Sequence, residues 1–330
     1  MAKRKSKSTY QKTSKIEPSV LTLQFATPSV SPGSAGSSFI DLSQVASIVN
    51  RRFYRQGINW AVSGFKFMVG GGFGSVQIQS LPNTWAMSNS WEKVFRAWNR
   101  QQKEALEDGN QEDVIARFND FKIFADSDHL ASGFGGNLMP VTTGPGLLPH
   151  TALPGEWEAS QLVVPNFGAP GVNFEPFLTA VGDRVGGAGG SYSLIQLYED
   201  SRSVPHSPDP DVPAAVLSAD NILNLMFDVG DNNTEVMSNA IGKNNDLPYV
   251  QDPYPGGKTQ LPGLQIHDLC TYTSSTIGGT TYGKGGNFPC GLIKLNHIVS
   301  AESIAHNVLV QIDLVPGTHR GYMCEPMTEM

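Results

Sequence analysis

The sequence predicts an all-β fold, a single jelly-roll β-sandwich with long loops and one or two helices inserted early, at about residues 83–119. Three observations predict it. Gly (35) and Pro (22) together exceed a sixth of the 330 residues, against ~12% in average proteins, which describes short elements joined by turn-rich loops. Only 16% of residues are charged, against ~25% on average, which suits a body with much surface buried against other chains. Apolar residues recur in short alternating runs, and the helices that a parallel α/β sheet needs between its strands are missing.

The elements follow in order. SVLTLQFA alternates, with Leu21, Leu23 and Phe25 on one face and Thr22 and Gln24 on the other, a half-buried strand. SVSPGSAGSS reads as loop, and FIDLSQVASIVNRRFYRQG has no clear period. In INWAVSGFKFMV, Ile58, Trp60 and Val62 share one phase and Phe65, Phe67 and Val69 the other. Gly64 sits at the change, predicting a β-bulge. VGGGFG reads as a hairpin turn before the strand SVQIQSL. SNSWEKVFRAWNRQQKEALEDG is the one strong helix, with Trp91, Val94, Phe95, Trp98 and Leu106 near one face. Asn89 and Glu92 resemble a capping box, and Gly109 is the stop. Residues 110–119 are a further short helical candidate. FKIFAD reads as a strand, and residues 127–190 as loops around a strand at EASQLVVP. Strands follow at SYSLIQLYE, ILNLMFDVG, GLQIHDL, CGLIKLNHI and NVLVQIDLV, the last with Val308, Val310, Ile312 and Leu314 on one side.

Charge is segregated. The net charge is -7, yet residues 1–15 carry six basic side chains, Lys3, Arg4, Lys5, Lys7, Lys12 and Lys15, and no acid. The remaining chain holds 17 Lys+Arg against 30 Asp+Glu, a net of -13. A basic tail on an acidic body fits a tail that meets a polyanion. It also fits a solvated terminus or a nuclear-localisation signal. Residues 1–17 are therefore read as a basic N-terminal arm and residues 18–330 as one domain. Arg51, Arg52 and Arg55, interleaved with Phe53 and Tyr54, form a second basic cluster. Basic–aromatic interleaving suits single-stranded nucleic acid, and a salt-bridged solvated face is the other reading.

No catalytic signature emerges. Residues 70–75 are glycine-rich but lack the lysine of a phosphate loop and precede a strand. His267-Asp268 near Cys270 has no third orienting group. Asp228, Asp231 and Glu235 are weak metal candidates on an oxygen-rich loop without regular ligand alternation. Cys270, Cys290 and Cys324 are odd in number and lack CxxC spacing, which predicts free thiols in a reducing compartment. Trp85, Trp91 and Trp98 are read as core or subunit contact, with base stacking the sharper alternative. No enzyme, cofactor, signal peptide or membrane insertion is expected.

NRRFYRQGINWAVSGF, LPNTWAMSNSWEKVFRAW and LVPGTHRGYMCEPM resemble capsid proteins of small circular Rep-encoding single-stranded DNA viruses, the CRESS-DNA viruses, and more narrowly their unclassified, environmentally sampled members. The likeness is sharpest over residues 37–100 and 307–328. It implies a single jelly roll, an icosahedral homo-oligomer of about sixty copies or more, and a basic arm facing a packaged single-stranded DNA genome. It also implies residence in the virion, with passage through the host nucleus during assembly. The arm here is short and Lys-rich where many relatives carry long Arg-rich arms. Six arm charges on about sixty copies give roughly 360, fewer than the roughly 990 phosphates of a gene for this chain alone. Two other readings stand beside it: a jelly-roll carbohydrate-binding or adhesin module, and a nucleic-acid-binding protein that does not assemble. Neither accounts for both the basic tail and the acidic body.

Overall fold

The cleanest alternations in the sequence lie side by side. Strand β1 (Thr22–Ala26) runs antiparallel to strand β8 (Leu309–Leu314), pairing Leu23 with Ile312 and Phe25 with Val310. All four side chains are buried. The computed structural model describes residues 18–110, 117–143, 149–166, 170–182, 190–203, 263–273 and 279–330. The basic tail, the acidic loop with Asp228, Asp231 and Glu235, and the strand expected at ILNLMFDVG lie outside these residues.

Eight long strands form two antiparallel sheets. Besides β1 and β8 they are β2 (Ala35–Asp41), β3 (Ile58–Met68), β4 (Gly74–Ser80), β5 (Gln265–Tyr272), β6 (Thr280–Phe288) and β7 (Leu292–Val299). One sheet has the order β1-β8-β3-β6, with a short ninth strand, Cys324–Pro326, also paired to β3. The other has the order β2-β7-β4-β5. Both sheets turn apolar faces into one core, to which Phe25, Trp60, Phe65, Ile78, Phe288, Leu295 and Ile312 contribute. The protein is thus mostly β and compatible with a β-sandwich.

The phase change at Gly64 is present. Asp313 pairs with Gly64 and Leu314 with Val62, so one residue of β3 bulges, and both halves of the strand keep their apolar residues inside. On its other side β3 meets β6, whose sequence TTYGKGGNF shows almost no apolar alternation. Its glycines answer to space. A Cβ on Gly285 would lie 2.2 Å from the Ser63 carbonyl oxygen, and one on Gly283 would lie 2.9 Å from the Ile78 side chain.

Several elements differ from expectation. Residues 70–73 do not close a hairpin. β3 and β4 belong to different sheets, and Gly71 and Gly72, both at positive φ, carry the chain across. The Ser/Gly stretch that reads as loop becomes β2 from residue 35, because β7 supplies its ladder partners. The unclear run after it is helix α1 (Leu42–Asn50), capped by Asp41. Helix α2 spans Trp85–Asp108, starting earlier than SNSWEK. Thr84 caps it and Asn89 lies inside, because the Thr84 hydroxyl reaches the Met87 N–H first. Gly109 ends it as expected. FKIFAD and EASQLVVP contribute only isolated bridges. A short helix, α3 (Ser127–Ser132), interrupts the loop-rich region. SYSLIQLYE is not one strand. After Ser191–Ser193 it turns into helix α4 (Leu194–Ser203), since Leu194, Ile195, Leu197 and Tyr198 are spaced to bury one helical face.

The insertion is therefore larger than a helix pair at residues 83–119. It runs from the end of β4 to the start of β5, two neighbouring strands of one sheet, and builds a second core. Met87, Trp91, Val94, Trp98, Phe121, Leu178, Ile195 and Leu197 form that core, which meets the sheets through Phe39, Leu292 and Met327. Buried Lys294 ties the two together, its ammonium 2.7 Å from Asp126 and 2.6 Å from Asp128. The three cysteines are free thiols. Among the described residues no helix is long and apolar enough to cross a membrane.

Two buried histidines are held neutral. His129 Nδ1 accepts from the Ala125 N–H at 3.0 Å and its Nε2 faces Asn137 Oδ1 at 2.9 Å, so a second ring proton would have no acceptor. Burial pushes its pKa down to about 4. His297 Nε2 bonds the Tyr272 hydroxyl, which also bonds His306 Nε2, each at 2.7 Å. His306 Nδ1 donates to the Ile304 carbonyl, so the neutral relay runs from His297 through Tyr272 to His306. The remaining nitrogen of His297 is buried without a partner. Burial, then the His306 ring, lowers its pKa to about 4.

Two outcomes are expected. Gly285→Ala should destabilise the protein by about 1–3 kcal/mol or more, while Gly135→Ala, where a Cβ meets open space, should stay within ~0.5 kcal/mol; urea denaturation compares them. Between pH 6.5 and about 4 the unfolded chain takes up protons that the folded His129 and His297 refuse. Stability present above pH 6.5 is lost as pH falls through that window. Asp41, raised to about 6 by burial, and Asp120, also raised by burial, oppose this over their own ranges, while burial lowers His319 as well, so three lowered histidines stand against two raised carboxylates. Urea midpoints should drop between pH 7 and pH 4.5, and a flat profile would contradict the two rings' assignment as neutral.

Candidate functional site

Helix α1 ends at Arg51, which adopts the left-handed conformation (φ 53°, ψ 40°) while its N–H reaches back to the Ser47 carbonyl. That conformation costs a side-chain-bearing residue about 1–2 kcal/mol. It turns the chain into residues 51–57, the stretch RRFYRQG. Tyr54 points inward and is buried, packing edge-on against Tyr322 and tilted against Trp60. Gln56 is buried too and does most of the fastening. Its side-chain amide donates to Asp41 Oδ2 at 3.0 Å and to the Ile123 carbonyl at 3.1 Å, and its Oε1 accepts from the Ile123 N–H at 2.7 Å. Its backbone N–H donates to Asp120 Oδ2 at 2.9 Å. Gly57 follows because a Cβ there would sit 2.3 Å from the Trp91 ring.

With Tyr54, Gln56 and Gly57 turned in, Arg51, Arg52, Phe53 and Arg55 line the surface. They form one wall of a cleft of about 910 Å³ whose lining also includes Arg117, Phe118, Asp120, His319, Arg320 and Trp91. Five guanidinium groups thus face one carboxylate among the described lining residues. That carboxylate is engaged: Arg55 Nη1 lies 3.4 Å from Asp120 and 2.8 Å from the Asn119 carbonyl. Burial raises the Asp120 pKa, and the Gln56 N–H, Arg55 and Lys122 pull it back. Arg320, a second arginine at positive φ, donates to the Phe53 carbonyl, and its own carbonyl accepts from the Tyr54 hydroxyl at 3.0 Å.

A second hollow of about 540 Å³ adjoins the first. It shares Arg51, Arg52, Phe53 and Phe118 with the cleft and adds Lys122 and Trp157. Phe53 packs against Phe118 with ring centroids 5.3 Å apart and against Trp157 at 6.0 Å. Trp157 is fixed by its indole N–H, which donates to Asp41 Oδ2 at 3.0 Å. The Lys122 ammonium sits 4.6 Å from the Trp157 ring centroid, and burial lowers its pKa.

The chain reaches the same pole from its N-terminal side. Val20 is held at both ends of its peptide unit, its N–H donating to Asn50 Oδ1 at 3.0 Å and its carbonyl accepting from the Tyr322 hydroxyl at 2.7 Å. The Ser19 hydroxyl donates to the Gly321 carbonyl at 3.2 Å. Asn50 and Gly321 are the sequence neighbours of Arg51 and Arg320.

The structure brings Arg51, Arg52 and Arg55 into one cleft. Lys3, Arg4, Lys5, Lys7, Lys12 and Lys15 lie outside the described residues. Trp91 and Trp98 are buried in the second core, while Trp85, at 38% exposure, stays partly on the surface. Arg117, Phe118, Trp157 and Arg320 were not anticipated. ARF at 116–118 and HRGY at 319–322 carry the same basic–aromatic adjacency as RRFYR, and that signal could have found three of the four. His267 and Cys270 do not form a nucleophile set. His267 Nε2 bonds the Lys284 carbonyl at 3.0 Å, and burial with Asp268 beside it pushes the Cys270 thiol up to about 11. Among the described residues no group of three His, Cys, Asp or Glu side chains could hold a metal ion.

No protein-family model, curated protein or solved structure matches the chain.

Replacing Gln56 by Leu should cost about 2–5 kcal/mol, because it removes one of the four donors to the buried Asp41 carboxylate and strands the Ile123 N–H and C=O. Urea denaturation measures the loss, and a near-neutral result would remove Gln56 as the fastening of the arginine loop.

Proposed function

We propose that the chain is a viral coat protein, a jelly-roll body that assembles into an icosahedral shell around single-stranded DNA, with residues 1–17 as an arm facing the genome. Strand order supports the jelly roll. Long strands alternate between the two sheets along the chain, except β4 and β5, and the orders β1-β8-β3-β6 and β2-β7-β4-β5 are those of two interleaved Greek keys.

The observation that carries the function is the shared pole. Val20 and Ser19 are bonded beside Arg51 and Arg320. Covalent geometry keeps Lys15 within about 14 Å of Ser19 whatever path residues 1–17 take. The arm's point of attachment and the arginine cleft therefore share one pole of a body otherwise rich in acid. A body that bound nucleic acid over its general surface would not carry the net of -13 counted above. Edge strands supply contact surface for a second copy. β5 and β6 each end a sheet, and they expose Ile266, Leu269 and Tyr282, the last at 73%. In this reading the protein belongs to the virion, passes through the host nucleus during assembly, and catalyses nothing.

Size-exclusion chromatography of the recombinant protein, with absorbance at 260 and 280 nm and negative-stain microscopy, tests the reading. Uniform spherical particles rich in nucleic acid are expected, and emptier particles when residues 2–15 are deleted. A monomer at every salt and pH tried would overturn it.

A further inference from the structure

We propose that the arginine cleft and its adjoining hollow bind unpaired nucleotides of a single strand, with bases stacked on Phe53 and Phe118 and phosphates on the surrounding guanidinium groups. This rests on the nucleic-acid half of the reading above and not on shell formation.

Phe118 is the starting point. It is 61% exposed. With Phe53 it forms the ridge common to two hollows of about 910 and 540 Å³. Each is within the ~300–1,000 Å³ of sites that take small organic ligands. Two of the aromatic residues are tied by hydrogen bonds. The Phe53 carbonyl holds Arg320, and Trp157, closing the second hollow, is pinned by buried Asp41. A stacking platform needs this rigidity, because ordering it on binding would cost affinity.

The charges are arranged around the ridge. Arg117 lies over the Phe118 ring at 5.8 Å and Arg55 over the Phe53 ring at 5.7 Å. Arg51 is exposed, and its guanidinium has no hydrogen-bond or ion-pair partner among the described residues.

The chemistry selects among polyanions. Inorganic phosphate would satisfy the guanidinium groups and leave the ridge bare. A duplex presents phosphates but keeps its base faces stacked inside. A single strand offers phosphates and open base faces together, and base–aromatic stacking is indifferent to sequence. The site thereby adds to the arm a contact that salt cannot fully screen, where the arm's contact is ionic.

Fluorescence anisotropy of the full chain with fluorescein-labelled oligothymidylate, and with a hairpin duplex of equal charge, tests this across a salt series. Phe118→Ala should weaken oligothymidylate binding by about 5- to 100-fold, leave the duplex affinity unchanged, and leave the salt slope for the single strand unchanged, because no ionic contact is lost. Phe118→Trp should restore binding. Arg51→Gln should weaken both ligands and lower the salt slope. Urea midpoints of the variants exclude unfolding as the cause, since the exposed ring contributes little to the core. If Phe118→Ala binds both DNAs as wild type does, the cleft assignment is overturned while the arm's role stands. If the full chain binds neither DNA at any salt, the nucleic-acid reading itself falls.

Discussion

The Asp41 carboxylate is the constraint on which the molecule is organised. It is fully buried and, among the described residues, has no cation in direct contact. Instead it accepts from the N–H groups of Ser43 and Gln44, from Gln56 and from the Trp157 indole. One group thus ends β2, starts α1, fastens the arginine loop and anchors a wall of the insertion. Four donors compensate a desolvation large enough to raise its pKa to about 6. Losing any one donor would expose the cost that the others only partly meet, so the four elements are energetically tied to one another.

That tie matters because the chain builds two cores. The first is shared by the sheets and the second by α2, α4 and the loops around them. Apolar contact alone would hold the two bodies together without fixing their orientation. The polar residues between them do so. Lys294 reaches across to Asp126 and Asp128, and His129, Asn137 and Gln44 form a buried chain alongside. Such networks add little net stability but tolerate few alternative geometries. The arginine cleft lies where these bodies meet, lined by residues of the 51–57 loop, the 117–120 segment and the 319–328 tail. Its shape is therefore a consequence of the junction.

The cleft also resolves the chain's uneven charge. An acidic body repels a polyanion everywhere except where positive charge is gathered. Gathering five arginines costs repulsion, which the structure limits by giving Arg55 a carboxylate and a carbonyl and Arg320 the Phe53 carbonyl. In the proposed shell this asymmetry orients the subunit, with the basic pole toward nucleic acid and the edge strands toward neighbouring copies.

By itself the sequence determined the elements whose apolar spacing reflects their own burial. β1 and β8 alternate because one face of each meets the core. The phase shift at Gly64 marks a bulge because both halves of β3 must keep their rings inside. The aromatic stripe of α2 marks a helix, and RRFYR marks a basic cluster interleaved with aromatic residues. Tertiary structure decided what depends on a neighbour. TTYGKGGNF pairs with β3 because its glycines fit the space left by Ser63 and Ile78, and absent side chains leave no pattern to read. SYSLIQLYE supports both periods until α2 offers α4 a helical face to pack on. The insertion's extent was hidden because β4 and β5 pair across nearly two hundred residues of chain. The cleft was half visible for the same reason: Arg51, Arg52 and Arg55 are local, whereas Arg117, Phe118, Trp157 and Arg320 reach them only through contacts between segments far apart in sequence.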